Sequence, residues 1–194
     1  MSLYAPIVST LGVLTLVALV AALALFVTVL APGGRGWLVR TFTGHERHPL
    51  AWAWLVALLA MSGSLYLSDV VGLLPCLFCW YQRIAMYPLV LVLGVGVLRA
   101  DAGVWRYGLP LSVVGLGMAA YHVALQWNPA LEVVSCSRGA PCSGRYLSVF
   151  GFVSIPAMAG AAFLLITALL LAVRVVERSA SRATPHEPAG GGVG

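Results

Sequence analysis

Pro75-Cys76-Leu77-Phe78-Cys79-Trp80-Tyr81-Gln82-Arg83 stands where a polar turn meets a long apolar run, and its reading decides what kind of chain this is. Asp69 and Gly72 precede it as a short turn, and Ile84 to Leu98 continue it with almost no polar side chain. Pro75 suits the first turn of a helix, where a missing N–H costs little. Cys76 and Cys79 are then expected in that first turn, at the positive end of the helix dipole, a setting that favours a thiolate. Arg83 follows Cys79 by four residues, so it lies on the same face one turn deeper and adds a fixed cation. An arginine just inside an apolar span is costly unless it snorkels to the headgroups or serves a function. A haem-attachment motif would need histidine after the second cysteine, and residue 80 is tryptophan.

Outward from this segment the chain is mostly apolar. Of 194 residues, 61% are hydrophobic and 9% charged, which excludes an ordinary soluble domain. Five runs, at about residues 4–31, 51–71, 80–99, 108–127 and 154–176, each reach the roughly 20 residues that cross a bilayer. Backbone groups in lipid need internal partners, so the runs are expected to be helices. The fold class expected is all-α, a polytopic membrane helical bundle. The first run carries no basic residue before Arg35 and far exceeds a signal-peptide core, so it reads as a retained span. After Arg182 the chain turns to Pro185, Pro188 and glycine, a composition that reads as disordered.

The net charge of +5 is carried without lysine. Arg35, Arg40, Arg47, Arg99, Arg106, Arg174, Arg178 and Arg182 fall on one side of the spans, and Arg83, Arg138 and Arg145 on the other. By the positive-inside tendency the first group is cytoplasmic, with the N-terminus outside and the C-terminus inside. No basic, aromatic-interleaved soluble surface exists for a nucleic acid. All four cysteines then face outward, where disulfides form and persist.

The second pair, Cys136 and Cys142, brackets Ser137-Arg138-Gly139-Ala140-Pro141 between the fourth and fifth runs. Five residues with glycine and proline turn tightly enough to close a disulfide. So small a ring gains little chain entropy, which makes it a poor staple and suits an exposed, exchangeable bond. A closed zinc site with four cysteines is the alternative. In the fourth run His122 lies about 7–8 Å below the outer end, near the depth of Arg83, so the two can converge beneath Cys79. Gln126 shares its face and Tyr121 adjoins it. Such a histidine is either a packing residue or a donor to the carbonyl of a lipid-soluble acceptor such as a quinone. Trp80, Tyr81 and Trp127 also suit an interfacial belt.

Cys76-Leu-Phe-Cys79-Trp-Tyr-Gln-Arg83-Ile-Ala-Met-Tyr87-Pro88 resembles the DsbB family of bacterial disulfide-bond formation proteins, in particular its BdbC-type branch. Cys136 to Cys142-Ser143, Phe150 to Pro156, and Tyr121-His122 with Leu125-Gln126 resemble it too, over about residues 50–176. The resemblance implies a four-helix redox core at 49–178, preceded by an extra N-terminal transmembrane helix and cytoplasmic loop at 1–48 and followed by a disordered cytoplasmic tail at 179–194. It implies a multi-pass protein of the bacterial cytoplasmic membrane that reoxidises a DsbA-like thioredoxin-fold thiol oxidase and passes electrons to ubiquinone or menaquinone. Carried over, Cys136 forms the mixed disulfide with the partner and Cys142 resolves toward Cys76. Cys79 is the thiolate at the quinone, assisted by Arg83 and His122. In vitamin K epoxide reductase-like proteins the loop cysteines precede the C-x-x-C pair, whereas here they follow it. The competing reading is a small membrane scaffold or assembly factor with structural disulfides or a zinc-bound four-cysteine site.

Overall fold

The computed structural model describes residues 4–42, 47–132, 136 and 140–183. Six α-helices run through them: α1 (Tyr4–Leu30), α2 (Gly34–Phe42), α3 (Arg47–Leu65), α4 (Leu77–Arg99), α5 (Trp105–Trp127) and α6 (Ile155–Ala183). Five stretches, Pro6–Leu30, His48–Val70, Leu77–Arg99, Ala102–Trp127 and Ile155–Arg182, are long and apolar enough to cross a membrane. The expected all-helical, multi-pass bundle is therefore the architecture observed.

Helices α3, α4, α5 and α6 pack as a ring in which each touches the next and α6 closes against α3. Helix α6 also carries α1 on its outer side, and α2 folds back onto both. This central position explains why 67% of the α6 span is buried but only 17% of the α1 span. Leu89 and Leu93 of α4 meet Phe163, Ile166 and Leu170 of α6 in the core, all shielded from solvent. At Gly115 of α5 the two helices come close enough that a Cβ would lie 2.3 Å from the Phe163 ring of α6. Small residues at such crossings let helix backbones come together where lipid gives no hydrophobic drive to do so.

Local chemistry sets the helix ends near the cysteines. Beyond α3 the chain makes one π-turn, Tyr66–Val70, and Gly72 then adopts a φ of +78° that lets it double back toward α4. Cys76 is the N-cap of α4: its backbone is extended and its sulfur accepts from the Cys79 N–H at 3.4 Å. Pro75 thus lies one residue outside the helix, not within its first turn.

Two further differences follow from packing. Helix α2, in the loop expected between the first two spans, forms because Leu38 buries against Val29 and Ala172. Helix α6 runs to Ala183, so residues 179–183 are helical where disorder was expected. Residues 184–194, the rest of that expected tail, lie outside the described residues, as do Ser137, Arg138 and Gly139 of the second cysteine loop.

Candidate functional site

Both cysteine pairs gather at one end of the ring. Cys76, Cys136 and Cys142 share a buried cluster with Phe78, Leu125 and Ala140, and Cys79 and Tyr121 pack against it. Cys136 and Cys142 are joined in a disulfide, while Cys76 and Cys79 are free thiols with their sulfurs 3.0 Å apart. Cys142 is fully buried and Cys136 only 4% exposed. The short loop was expected to expose its disulfide; instead Phe78, Leu125 and Ala140 cover it. A zinc site with four cysteines needs four thiolates, and two of these sulfurs are bonded to each other. Among the described residues, Cys76, Cys79 and His122 offer three ligand atoms within 4.8 Å of one another.

His122 joins the pairs. The Gln82 side-chain amide donates to its Nδ1 at 3.1 Å, which leaves the proton on Nε2. Nε2 then donates to the Cys142 carbonyl oxygen at 3.1 Å and faces Cys76 Sγ at 3.5 Å. One turn on, Gln126 donates to the Gly144 carbonyl at 3.2 Å, so two residues on one face of α5 hold the second cysteine loop in place. The Glu132 carboxylate accepts from the Cys136 N–H at 2.9 Å. Gln82 escaped the sequence reading, because a buried amide on the face opposite His122 has no signal except the helix-helix contact itself.

The electrostatics single out Cys76. Its pKa lies well below the ordinary thiol range, chiefly because the Cys79 thiol donates to it; His122 adds to this, and burial opposes it without prevailing. The sequence had led us to expect the stabilised thiolate on Cys79, with Arg83 as its cation. The Arg83 guanidinium is held from α3, where Nε donates to Ser64 Oγ at 3.0 Å and Nη2 to the Ser64 carbonyl at 2.8 Å and Ser68 Oγ at 2.9 Å. Ser68 reaches it from within the π-turn that ends α3. Trp80 lies against the same guanidinium, 5.1 Å from ring to Cζ.

Two spaces meet at Cys79. A small pocket on the loop side is bordered by Cys76, Cys79, His122, Gln126 and Tyr146. On the other side an apolar cavity of about 500 Å³ runs between α1, α3, α4 and α6, with Cys79, Gln82 and Arg83 at its polar end. Cys79 and Arg83 therefore border the cavity, and Cys79 and His122 border the loop-side pocket. The two do not converge beneath Cys79; they flank it. Tyr87, one turn beyond Arg83, also lines the cavity, and its buried hydroxyl has no hydrogen-bond partner among the described residues.

The family model described as disulfide bond formation protein DsbB matches residues 46–173, from α3 into α6. Disulfide bond formation protein C of Bacillus subtilis (strain 168) is 46% identical over 115 residues, which span 59% of this chain and 83% of that protein. Probable disulfide formation protein C 2 of Bacillus cereus is 44% identical over 125 residues, 64% of this chain and 90% of that one. A probable disulfide formation protein of Metapseudomonas resinovorans is 39% identical over 134 residues, 68% and 93% of the two chains. No solved structure matches. A dithiol at a helix N-cap, a neighbouring disulfide and a family match that covers both leave one conclusion: this chain belongs to the DsbB family of disulfide bond formation proteins.

Proposed function

We propose that the protein is a thiol:quinone oxidoreductase that reoxidises an extracytoplasmic, DsbA-like thioredoxin-fold thiol oxidase and passes the electrons to a membrane quinone. The carrying observation is the position of Cys79, which borders the loop-side pocket that also holds Cys76 and, on its other side, the apolar cavity. The residues of that cavity fit a quinone: Cys79, Gln82 and Arg83 sit at one end, the Tyr87 hydroxyl has an unused hydrogen bond among the described residues, and most of the remaining lining is apolar. When bound, the quinone supplies a two-electron sink, which ubiquinone and menaquinone both provide.

The chain's own residues do the rest. A thiolate of the partner attacks Cys136, the less buried residue of the disulfide, and releases Cys142 as a thiolate. The partner's second thiol then closes its own disulfide and frees Cys136. Cys142 attacks the oxidised Cys76–Cys79 pair at Cys76, and Cys136 resolves that link, which restores Cys136–Cys142 and leaves Cys76 and Cys79 reduced. Two electrons have moved inward by one pair. This step leaves the loop disulfide closed and the helix dithiol open. Closing Cys76–Cys79 again then releases two electrons and two protons at the cavity. His122 holds the Cys142 backbone beside Cys76 throughout and stabilises the Cys76 thiolate. Arg83, braced by Ser64 and Ser68, fixes a positive charge at the polar end of the cavity. The arginine bias supports a multi-pass orientation with both pairs outside the cytoplasmic membrane.

The test mixes the purified protein with a reduced dithiol thioredoxin-fold protein and a soluble quinone and follows quinone absorbance, with Cys79→Ser alongside. Quinone reduction that vanishes in the variant supports the relay. Absence of reduction with both benzoquinone and naphthoquinone, with the cysteines stably oxidised, returns the protein to a structural role.

A further inference from the structure

Helix α1 lies wholly before residue 46, where the family match begins, yet it forms one wall of the cavity at Cys79. We propose that α1 and α3 are the two lips of a lateral slot that takes the isoprenoid tail of the quinone, so that α1 sets a preference for tailed quinones; this rests on the function proposed above.

The slot follows from how α1 is seated. It leans along α6 and scarcely touches α3. Near the outer end Leu11 reaches Gly63, where a Cβ would lie 3.4 Å from the Leu11 Cδ2. Beyond that point the two helices part. Ala18 and Ala21 on α1, and Ala159 and Ala162 on α6, are too short to fill the gap. The lips, Leu14 and Val17 on one side and Leu55 and Leu59 on the other, are apolar and exposed on the bundle's outer surface. A chain within the membrane can therefore enter sideways without crossing water.

The occupant is argued from polarity and size. Cys79, Gln82, Arg83 and Ser64 gather at one end, the Tyr87 hydroxyl stands one turn further in and most of the remaining lining is apolar, so the cavity suits a molecule with a polar head and a long apolar remainder. At about 500 Å³ it exceeds what a quinone ring alone fills, and the surplus is apolar space between α1, α3 and α6. Nor is α1 loosely attached. The turn at Val149–Val153, which follows the second cysteine loop, presses on it so closely that a Cβ on Gly12 would lie 2.6 Å from Val149 Cγ1. Val8 buries in the same contact with Leu147 and Val153. The wall is thus fixed to the element that carries Cys136 and Cys142.

The experiment uses the full chain in nanodiscs of one phospholipid, with Ala18→Trp and Ala21→Phe to fill the slot. Leu23→Trp, on an exposed part of α1 outside the cavity, is the control for folding. The probes are benzoquinone and naphthoquinone rings, each with and without a polyprenyl tail. Two readouts are taken: tailed quinone retained through gel filtration and extracted per mole of protein, and the ratio of kcat/KM for tailed over tail-free quinone. The slot-filling variants should retain about tenfold less tailed quinone and lose about tenfold in that ratio, with Leu23→Trp like the parent protein. Retention equal to the parent's in both variants, or a loss shared equally by tailed and tail-free rings, overturns the proposal. A parent protein that reduces quinone with no tail preference overturns the role of α1 alone; one that neither retains nor reduces any quinone takes down the proposed function with it.

Discussion

His122 Nε2 stands 3.5 Å from the sulfur of Cys76, and the same nitrogen holds the backbone carbonyl of Cys142 at 3.1 Å. One side chain thereby ties the cysteine pair at the start of α4 to the pair in the loop after α5 and stabilises the thiolate of Cys76. Loss of His122 should affect both properties together, which separates this arrangement from a packing histidine.

His122→Leu removes a donor from Cys76 and leaves the Cys142 carbonyl and the Gln82 amide unpaired. The Cys76 pKa then rises while Cys79 still holds it below the ordinary thiol range, so alkylation of the reduced protein at about pH 4–5 should slow. Rates measured with a small iodoacetamide across pH, with the modified peptide identified by mass, check this. His122→Asn, which keeps a donor, should recover part of the rate.

A depressed thiol pKa also carries a stability term. Unfolded, Cys76 titrates near about 8.5, and folded it titrates lower. The stabilisation is therefore full above the unfolded value and is lost as pH falls through the folded one. Reduced protein should exceed Cys76→Ser in melting temperature by more at pH 9 than at pH 4.5. A gap independent of pH contradicts the assignment of the thiolate.

Arg83 bears on the cavity and not on the loop. Arg83→Ala should raise the KM for quinone by about tenfold or more while the rate of exchange with the reduced partner changes less than about threefold. Ser64→Ala should produce a milder version, about 1 kcal/mol, because Nη2 keeps Ser68 and the Ser64 carbonyl. Stopped-flow separation of the two half-reactions reads both.

At the α5–α6 crossing, Gly115→Val drives a side chain into Phe163 and should destabilise the bundle by about 1–3 kcal/mol. Phe163→Leu in the same chain should return part of that loss, a non-additivity that thermal unfolding in detergent measures.

Much of this was readable from residue order because the constraints act along the chain. Apolar length alone located five spans, and α1, spanning Tyr4–Leu30, falls within a residue of the run that announced it. Charge bias and the spacing of the cysteines put both pairs at one end, which the shared cluster around Cys76 and Cys142 bears out as a matter of proximity. What escaped depends on contacts between helices. Ser64 and Ser68 look like ordinary hydroxyls in an apolar span until α4 brings Arg83 against them. Counting residues along a helix estimates the depth of Arg83 and His122 but does not say which neighbour each faces. One turns to α3 and the other to the loop, with Cys79 between them. The burial of Cys142 likewise comes from Phe78 and Leu125, supplied by α4 and α5, and no property of its own loop foretells it.

The order of the relay, Cys142 to Cys76 and Cys79 to the cavity, is tested most directly by disulfide mapping of Cys136→Ser. Without Cys136 to resolve it, Cys142 should attack the oxidised helix pair and stay linked to the sulfur it reaches first. Mass spectrometry of acid-quenched peptides should find Cys142 joined to Cys76, with Cys79 a free thiol. A Cys142–Cys79 link, or an intact Cys76–Cys79 bond beside an unreacted Cys142, would contradict the account.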